Sequence, residues 1–126
     1  MSLTEGILCS KSHEYILEKD GQYIIGLTDY AIEQLGDIVF LELPDVGAEF
    51  TKSEVFATIE SVKAASEIYM PISGKILEVN ETVVDNPEIL NESPYEKGWL
   101  VKVESATAVA DSADLLEYDD YKEEIA

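Results

Sequence analysis

Short apolar runs broken by turn residues fill the chain from residue 13 to residue 104, and a helical spacing takes over only near the end. His13-Glu14-Tyr15-Ile16-Leu17-Glu18-Lys19 and Gln22-Tyr23-Ile24-Ile25-Gly26-Leu27 flank Asp20-Gly21. Asp-Gly accepts the positive φ values of a two-residue turn, so this stretch predicts a β-hairpin. Thr28 can cap a short helix near residues 28–35 that holds Ala31, Ile32 and Leu35 on one side, and Gly36 suits its end. Residues 37–43 predict a strand rich in branched and aromatic side chains, turned by Pro44-Asp45-Val46-Gly47. Residues 54–61 and 65–69 read as two more strands. Pro71 and Gly74 separate these from another strand at 75–80. Asn86-Pro87 and Ser93-Pro94 mark irregular connections around 88–91, after which Gly98 opens a strand over 99–104. Leu115, Leu116, Tyr118, Tyr121 and Ile125, set among acids, predict one amphipathic C-terminal helix over about 112–125, packed on the body.

Parts of this pattern recur. Gly36-Asp37-Ile38-Val39 matches Gly74-Lys75-Ile76-Leu77, and Ala57-Thr58-Ile59-Glu60-Ser61 matches Val101-Lys102-Val103-Glu104-Ser105. Two similar halves of short strands predict a mainly β, quasi-symmetric fold of small antiparallel sheets. In such a fold Val62-Lys63-Ala64 is an exposed turn between strands. The equivalent turn of the second half has Ala106-Thr107 and no lysine.

Composition narrows the functions open to the chain. Its 126 residues fit one domain spanning 1–126, and a chain of this size buries roughly two-thirds of its unfolded surface without staples. No apolar run approaches the roughly 20 residues of a membrane span, and the first residues do not read as a secretory leader. The expected location is therefore cytoplasmic, or the mitochondrial matrix for a processed eukaryotic form. One cysteine and one histidine fall short of a disulfide or a zinc set, so Cys9 is expected to be an inert buried thiol. With 27 acidic residues against 8 basic ones, a net charge of −19 argues against nucleic acid and suits basic partner proteins.

Lys63 therefore stands out: all eight basic residues are lysines, and this one sits alone on a turn between strands. A Schiff-base nucleophile must shed its proton, which calls for burial or a neighbouring cation, and the charges nearest in sequence are Glu60 and Glu67. A phosphate-binding lysine would follow a glycine-rich loop opening a helix, which is missing here. Covalent attachment of a group to the amine asks only for exposure on a rigid turn of defined shape.

The residues around that turn resemble the lipoyl-attachment motif of the glycine cleavage system H-protein family. The resemblance runs through Glu60-Ser61-Val62-Lys63-Ala64-Ala65-Ser66-Glu67-Ile68-Tyr69 and Pro71-Ile72-Ser73-Gly74. It extends to Ser12-His13-Glu14-Tyr15, Gly26-Leu27-Thr28-Asp29-Tyr30-Ala31, Leu35-Gly36-Asp37-Ile38-Val39-Phe40 and Glu42-Leu43-Pro44. Asn91-Glu92-Ser93-Pro94-Tyr95 and Gly98-Trp99-Leu100 complete it, so that it covers roughly residues 12–104. It implies a barrel-sandwich hybrid fold and a carrier rather than an enzyme, with lipoic acid joined by an amide to Lys63. The implied partners are glycine decarboxylase, aminomethyltransferase, dihydrolipoamide dehydrogenase and a lipoate-attaching enzyme. The carrier would take an aminomethyl group from the first and present it to the second. The third would then reoxidise the dithiol. The resemblance also implies a cleft for the loaded arm, walled by Ser12, Glu14 and Glu67. A carboxylate there would pair with the amine of the aminomethyl group.

Glu60, Val62 and Ala64 are expected to shape the turn that the lipoate-attaching enzyme reads. His13, Trp99 and Tyr95 are read as structural. Three other functions fit parts of the pattern. A biotin carrier would flank its lysine with methionines, where this chain has Val62 and Ala64. A lipoyl donor or relay serving other complexes would need the same modified turn, and a lysine-nucleophile enzyme would need a readily deprotonated amine.

Overall fold

The computed structural model describes residues 6–125. Its first half runs β1 (Leu8–Cys9), β2 (Glu14–Lys19), β3 (Gln22–Leu27), α1 (Asp29–Leu35), β4 (Ile38–Glu42), β5 (Glu49–Phe50), β6 (Val55–Ser61) and β7 (Ala65–Tyr69). The second runs β8 (Gly74–Val79), α2 (Glu81–Asp85), α3 (Ile89–Glu92), β9 (Val101–Glu104), α4 (Ala108–Asp111), β10 (Leu116–Glu117) and α5 (Tyr118–Ile125).

Local chemistry accounts for most of these boundaries. Asp20 and Gly21 both take positive φ, 55° and 80°, and close β2 on β3 with Lys19 opposite Gln22. The Thr28 hydroxyl accepts the Ala31 N–H at 3.2 Å and caps α1. Gly36 ends that helix at φ 82°, its N–H donating to the Ile32 carbonyl.

The strands form two antiparallel sheets, ordered β10-β1-β2-β3-β9-β8-β5 and β4-β6-β7. Ile16, Ile25, Val101 and Val103 from the larger sheet meet Ile38, Leu41, Ile59 and Ile68 from the smaller in one core. The architecture is a sandwich of sheets, mainly β, that does not close into a barrel. The repeat read from the sequence has a structural counterpart. β4 pairs with β6 and β8 with β9, and each pairing slips register at the equivalent place, between Ile38 and Phe40 and between Ile76 and Glu78.

The C-terminal segment differs from the single helix expected over 112–125. Residues 112–114 form a 3-10 turn, Leu115 is extended, and Leu116–Glu117 pairs with β1, placing Cys9 opposite Leu116 and Leu8 opposite Glu117. Only Tyr118–Ile125 is helical. The open edge of β1 offers backbone partners to this segment, and strand pairing there overrides the local helical spacing. Tyr121 still docks the helix, buried with Ile7, Cys9 and Tyr15 in a second cluster. Tyr118 Oη and Lys122 Nζ hold Asp29 on α1 at 2.9 and 3.1 Å. The stretch around 88–91, expected to be irregular, holds the one-turn helix α3, which Pro87 separates from the short helix α2.

Among the described residues, no helix is long and apolar enough to cross a membrane.

Candidate functional site

Lys63 occupies the two-residue tip of the hairpin joining β6 to β7, with Val62 beside it. The side chain of Ser61 shapes this tip. Its hydroxyl accepts the N–H groups of Lys63 and Ala64, both at 3.2 Å, and donates to the Ala64 carbonyl at 3.2 Å. Ser61 N–H also donates to that carbonyl at 2.8 Å. A hydroxyl that bonds both following N–H groups fixes the backbone without occupying solvent space, so Val62 and Lys63 remain exposed.

The tip is also fastened from behind. Val62 N–H donates to the Asp37 carbonyl at 3.0 Å. Asn91 on α3 grips the same junction, its Oδ1 accepting Ile38 N–H at 3.0 Å and its Nδ2 donating to the Gly36 carbonyl at 2.8 Å. The Lys63 stem crosses Gly36 so closely that a Cβ there would lie 3.3 Å from Cε. Of the four residues expected to form the attachment turn, Val62, Lys63 and Ala64 stand on the hairpin. Glu60 stands on β6, two residues before Val62, exposed and opposite both Phe40 and Ala65.

The second expected group is divided. Glu14, at the start of β2, is only 2% exposed. Its Oε1 accepts the hydroxyls of Ser10 at 2.7 Å and Ser12 at 2.5 Å, and its Oε2 faces the Tyr69 N–H at 3.4 Å. Glu67 lies apart from this cluster, exposed on β7 opposite Thr58. It is two residues before Tyr69 on the same strand, and successive odd positions share a face. Ala65, Glu67 and Tyr69 therefore mark a track from the Lys63 turn toward Glu14.

That track ends at a cleft of about 440 Å3, lined by Ser10, Ser12, Lys52, Tyr69 and Pro71 among others. The Glu14 carboxylate sits behind Ser10, Ser12 and Tyr69. Burial pushes its pKa up, and the hydrogen bonds from Ser12, Ser10 and the Tyr69 backbone only partly offset that. No ion pair among the described residues reaches Glu14, and the cleft's Lys52 is engaged by Asp114 and the Asp111 carbonyl. The cluster thus presents a carboxylate rich in hydrogen bonds and short of a counter-charge, arranged to gain from an arriving cation.

Sequence reasoning missed Ser10, Lys52 and Tyr69 here. The period-two spacing of Glu67 and Tyr69 could have flagged Tyr69. Nothing local marks Ser10 or Lys52, whose contacts depend on chain segments brought together by folding.

The residues read as structural are so placed. His13 takes φ 73° and sets Nδ1 2.8 Å from the Tyr121 hydroxyl, and burial holds its pKa down. Trp99 is half-buried under the Lys102 ammonium, 4.7 Å from the ring centre. The Tyr95 hydroxyl donates to Asp29 at 2.8 Å. Cys9 is buried and its thiol is pushed up to about 12, chiefly by burial. No group of three or more His, Cys, Asp or Glu side chains among the described residues is placed to hold a metal ion.

Comparison with known proteins gives one answer. The family model described as glycine cleavage H-protein matches residues 7–126. A glycine cleavage system H protein of Listeria monocytogenes serotype 4a (strain HCC23) is 48% identical over 122 residues, covering 97% of each chain. The corresponding protein of Oceanobacillus iheyensis is 50% identical over 104 residues, 82% of each. The crystal structure of a glycine cleavage system H protein from Mycobacterium marinum superposes with a TM-score of 0.87 at 33% identity, over 95% of this chain and 96% of that one.

Proposed function

The chain belongs to the glycine cleavage H-protein family, carriers rather than enzymes, and from that premise we propose that Lys63 is its lipoyl-attachment residue and the Glu14 cleft the resting place of the loaded arm. The observation that carries the reading is the combination of an exposed lysine on a stapled two-residue tip with a strand track leading to a buried, uncompensated carboxylate. Lipoate in amide linkage to Lys63 would supply a dithiol able to hold an aminomethyl group. The chain's own residues do the rest. Ser61 and Asp37 present the amine to the attaching enzyme at a fixed angle, and Glu60, Val62 and Ala64 give that enzyme a surface to read. Glu14, backed by Ser10 and Ser12, binds the ammonium end of the cargo and keeps it from water. Glu67, exposed beside the track, attracts the same positive charge on its way.

Within this role the carrier takes its aminomethyl group from glycine decarboxylase, presents it to aminomethyltransferase and is reoxidised by dihydrolipoamide dehydrogenase. Tethering the cargo replaces diffusion between enzymes by movement of a docked carrier. The bacterial relatives support a cytoplasmic setting.

The test is intact and peptide mass spectrometry after expression with a lipoate-attaching enzyme and lipoate or biotin. A lipoyl increment on Lys63, absent in Lys63→Arg, is the expected result. An unmodified Lys63 in a folded chain would refute the assignment, and a biotinyl increment would replace it with a biotin carrier.

A further inference from the structure

The Glu14 cleft contains cations of its own. Lys11 and Lys52 both line it, together with Asp114. Lys11 is exposed and makes no ion pair among the described residues, whereas Lys52 is held. Its backbone N–H donates to Ser73 Oγ at 2.9 Å, and the next residue, Ser53, takes φ 74° and donates its N–H to the Met70 carbonyl at 2.8 Å. The Lys52 ammonium pairs with Asp114 and donates to the Asp111 carbonyl at 2.6 Å. Asp111 is itself fixed, its Oδ2 accepting the Ser73 N–H at 2.9 Å and the Thr107 hydroxyl at 2.7 Å. Leu115 is buried in the main core, so its neighbour Asp114 stands on an anchored segment. The hydrogen bond from Lys52 keeps the Asp114 carboxyl below its usual range.

We propose that Asp114 is a specificity-determining residue of the cleft: by sequestering the Lys52 ammonium it keeps the cleft open to a positively charged arm and leaves Glu14 to the cargo. The proposal rests on the reading of this cleft as the seat of the loaded arm and names what protects its charge preference. Lys52 and Asp114 are both partly exposed, and such a pair contributes little to folding, so its effect falls on the charge that the cleft presents. With Glu14 ionised, the two lysines and the two carboxylates cancel, and an arriving ammonium finds no net repulsion. Without Asp114 the cleft is positive. The freed Lys52, on a flexible stem, then opposes the cargo and competes for the carboxylate that should receive it.

The test compares Asp114→Asn, Lys52→Met and the double variant with the parent in the full chain, each checked for folding by circular dichroism. In the unmodified chain, nuclear magnetic resonance follows the titration of the Glu14 carboxyl. Asp114→Asn should lower its midpoint, Lys52→Met should raise it, and the double variant should return it to the parent's. In the chain lipoylated at Lys63 and loaded by glycine decarboxylase with glycine, water cleaves the aminomethyl group to formaldehyde and ammonium and leaves the free thiol. Asp114→Asn should speed this release about threefold at low salt and less at high salt, the size and screening of an exposed charge interaction. Lys52→Met should slow it, and the double variant should restore it. A merely structural ion pair would shift both single variants in the same direction. That result, or no shift in either readout, would overturn the proposal. Glu14→Gln should release cargo faster than the parent. An unchanged rate there would refute the cleft as the seat of the arm, and the proposal with it, whereas a faster rate alongside an inert Asp114→Asn would refute the proposal alone.

Discussion

The Tyr121 hydroxyl lies 2.8 Å from Nδ1 of His13 and 2.8 Å from Oγ1 of Thr28, tying the C-terminal helix to the residue immediately before Glu14. Tyr121 is 2% exposed; its bond to Thr28 is buried and its bond to His13 partly so. Tyr121→Phe should lower stability by about 1–2 kcal/mol, the usual cost of leaving buried polar partners unmatched. Chemical denaturation of parent and variant at neutral pH measures the difference. An unchanged midpoint would show that the hydroxyl holds nothing in place.

Burial raises the pKa of Glu14, so between the ordinary glutamate range and its higher folded value the folded chain binds more protons than the unfolded one. Stability contributed by this group therefore falls as pH climbs through that window and levels off above it. Glu14→Gln removes the titration. The stability difference between parent and variant, followed by denaturant unfolding at a series of pH values, should shift against the parent as pH rises. A flat difference would mean the carboxylate ionises as freely as an exposed one.

Ser61→Ala removes the hydroxyl that accepts two N–H groups at the hairpin tip. The expected loss is about 1 kcal/mol of stability together with slower lipoylation of Lys63, since the amine is then displayed on a looser turn. Glu60→Ala, by contrast, leaves every bond of the tip in place and should slow lipoylation without moving the unfolding midpoint. A time course of the lipoyl mass increment separates the two, and normal lipoylation of Glu60→Ala would end the recognition role assigned to that side chain.

At Gly36 a methyl group would meet both a φ of 82° and the Lys63 stem 3.3 Å away. Gly36→Ala should cost about 1–2 kcal/mol from backbone strain and displace the lysine side chain. Thermal unfolding reads the first effect, and the nuclear magnetic resonance shifts of the Lys63 side chain read the second.

Much of this architecture was legible before any coordinates. The Asp20-Gly21 hairpin, the Thr28 cap and the strands on either side of Lys63 follow from short-range chemistry, and local chemistry is what a sequence displays directly. The exposed turn that carries Lys63 was legible for the same reason, because Glu60 to Ala64 are consecutive. The C-terminal segment was not. Leu115 and Leu116 fit a helical stripe equally well, and only the open edge of β1, more than 100 residues earlier, draws Leu116 into a strand. The cleft was half legible. Ser12 and Glu14 are near neighbours in sequence, while Tyr69 reaches Glu14 across 55 residues and Lys52 reaches Asp114 across 62. Glu67, expected in the same wall, points along the outer face of β7 because its neighbour Ile68 takes the inward position.

β7 is the last strand of its sheet, with β6 on one side only. Such a border can template pairing with further strands and so seed aggregation. Here the Tyr69 N–H is directed at the Glu14 carboxylate, and Glu67 adds exposed charge along the same strand. An edge strand with one N–H already engaged and a carboxylate standing out along it is a poor template for the edge of a second copy of the chain.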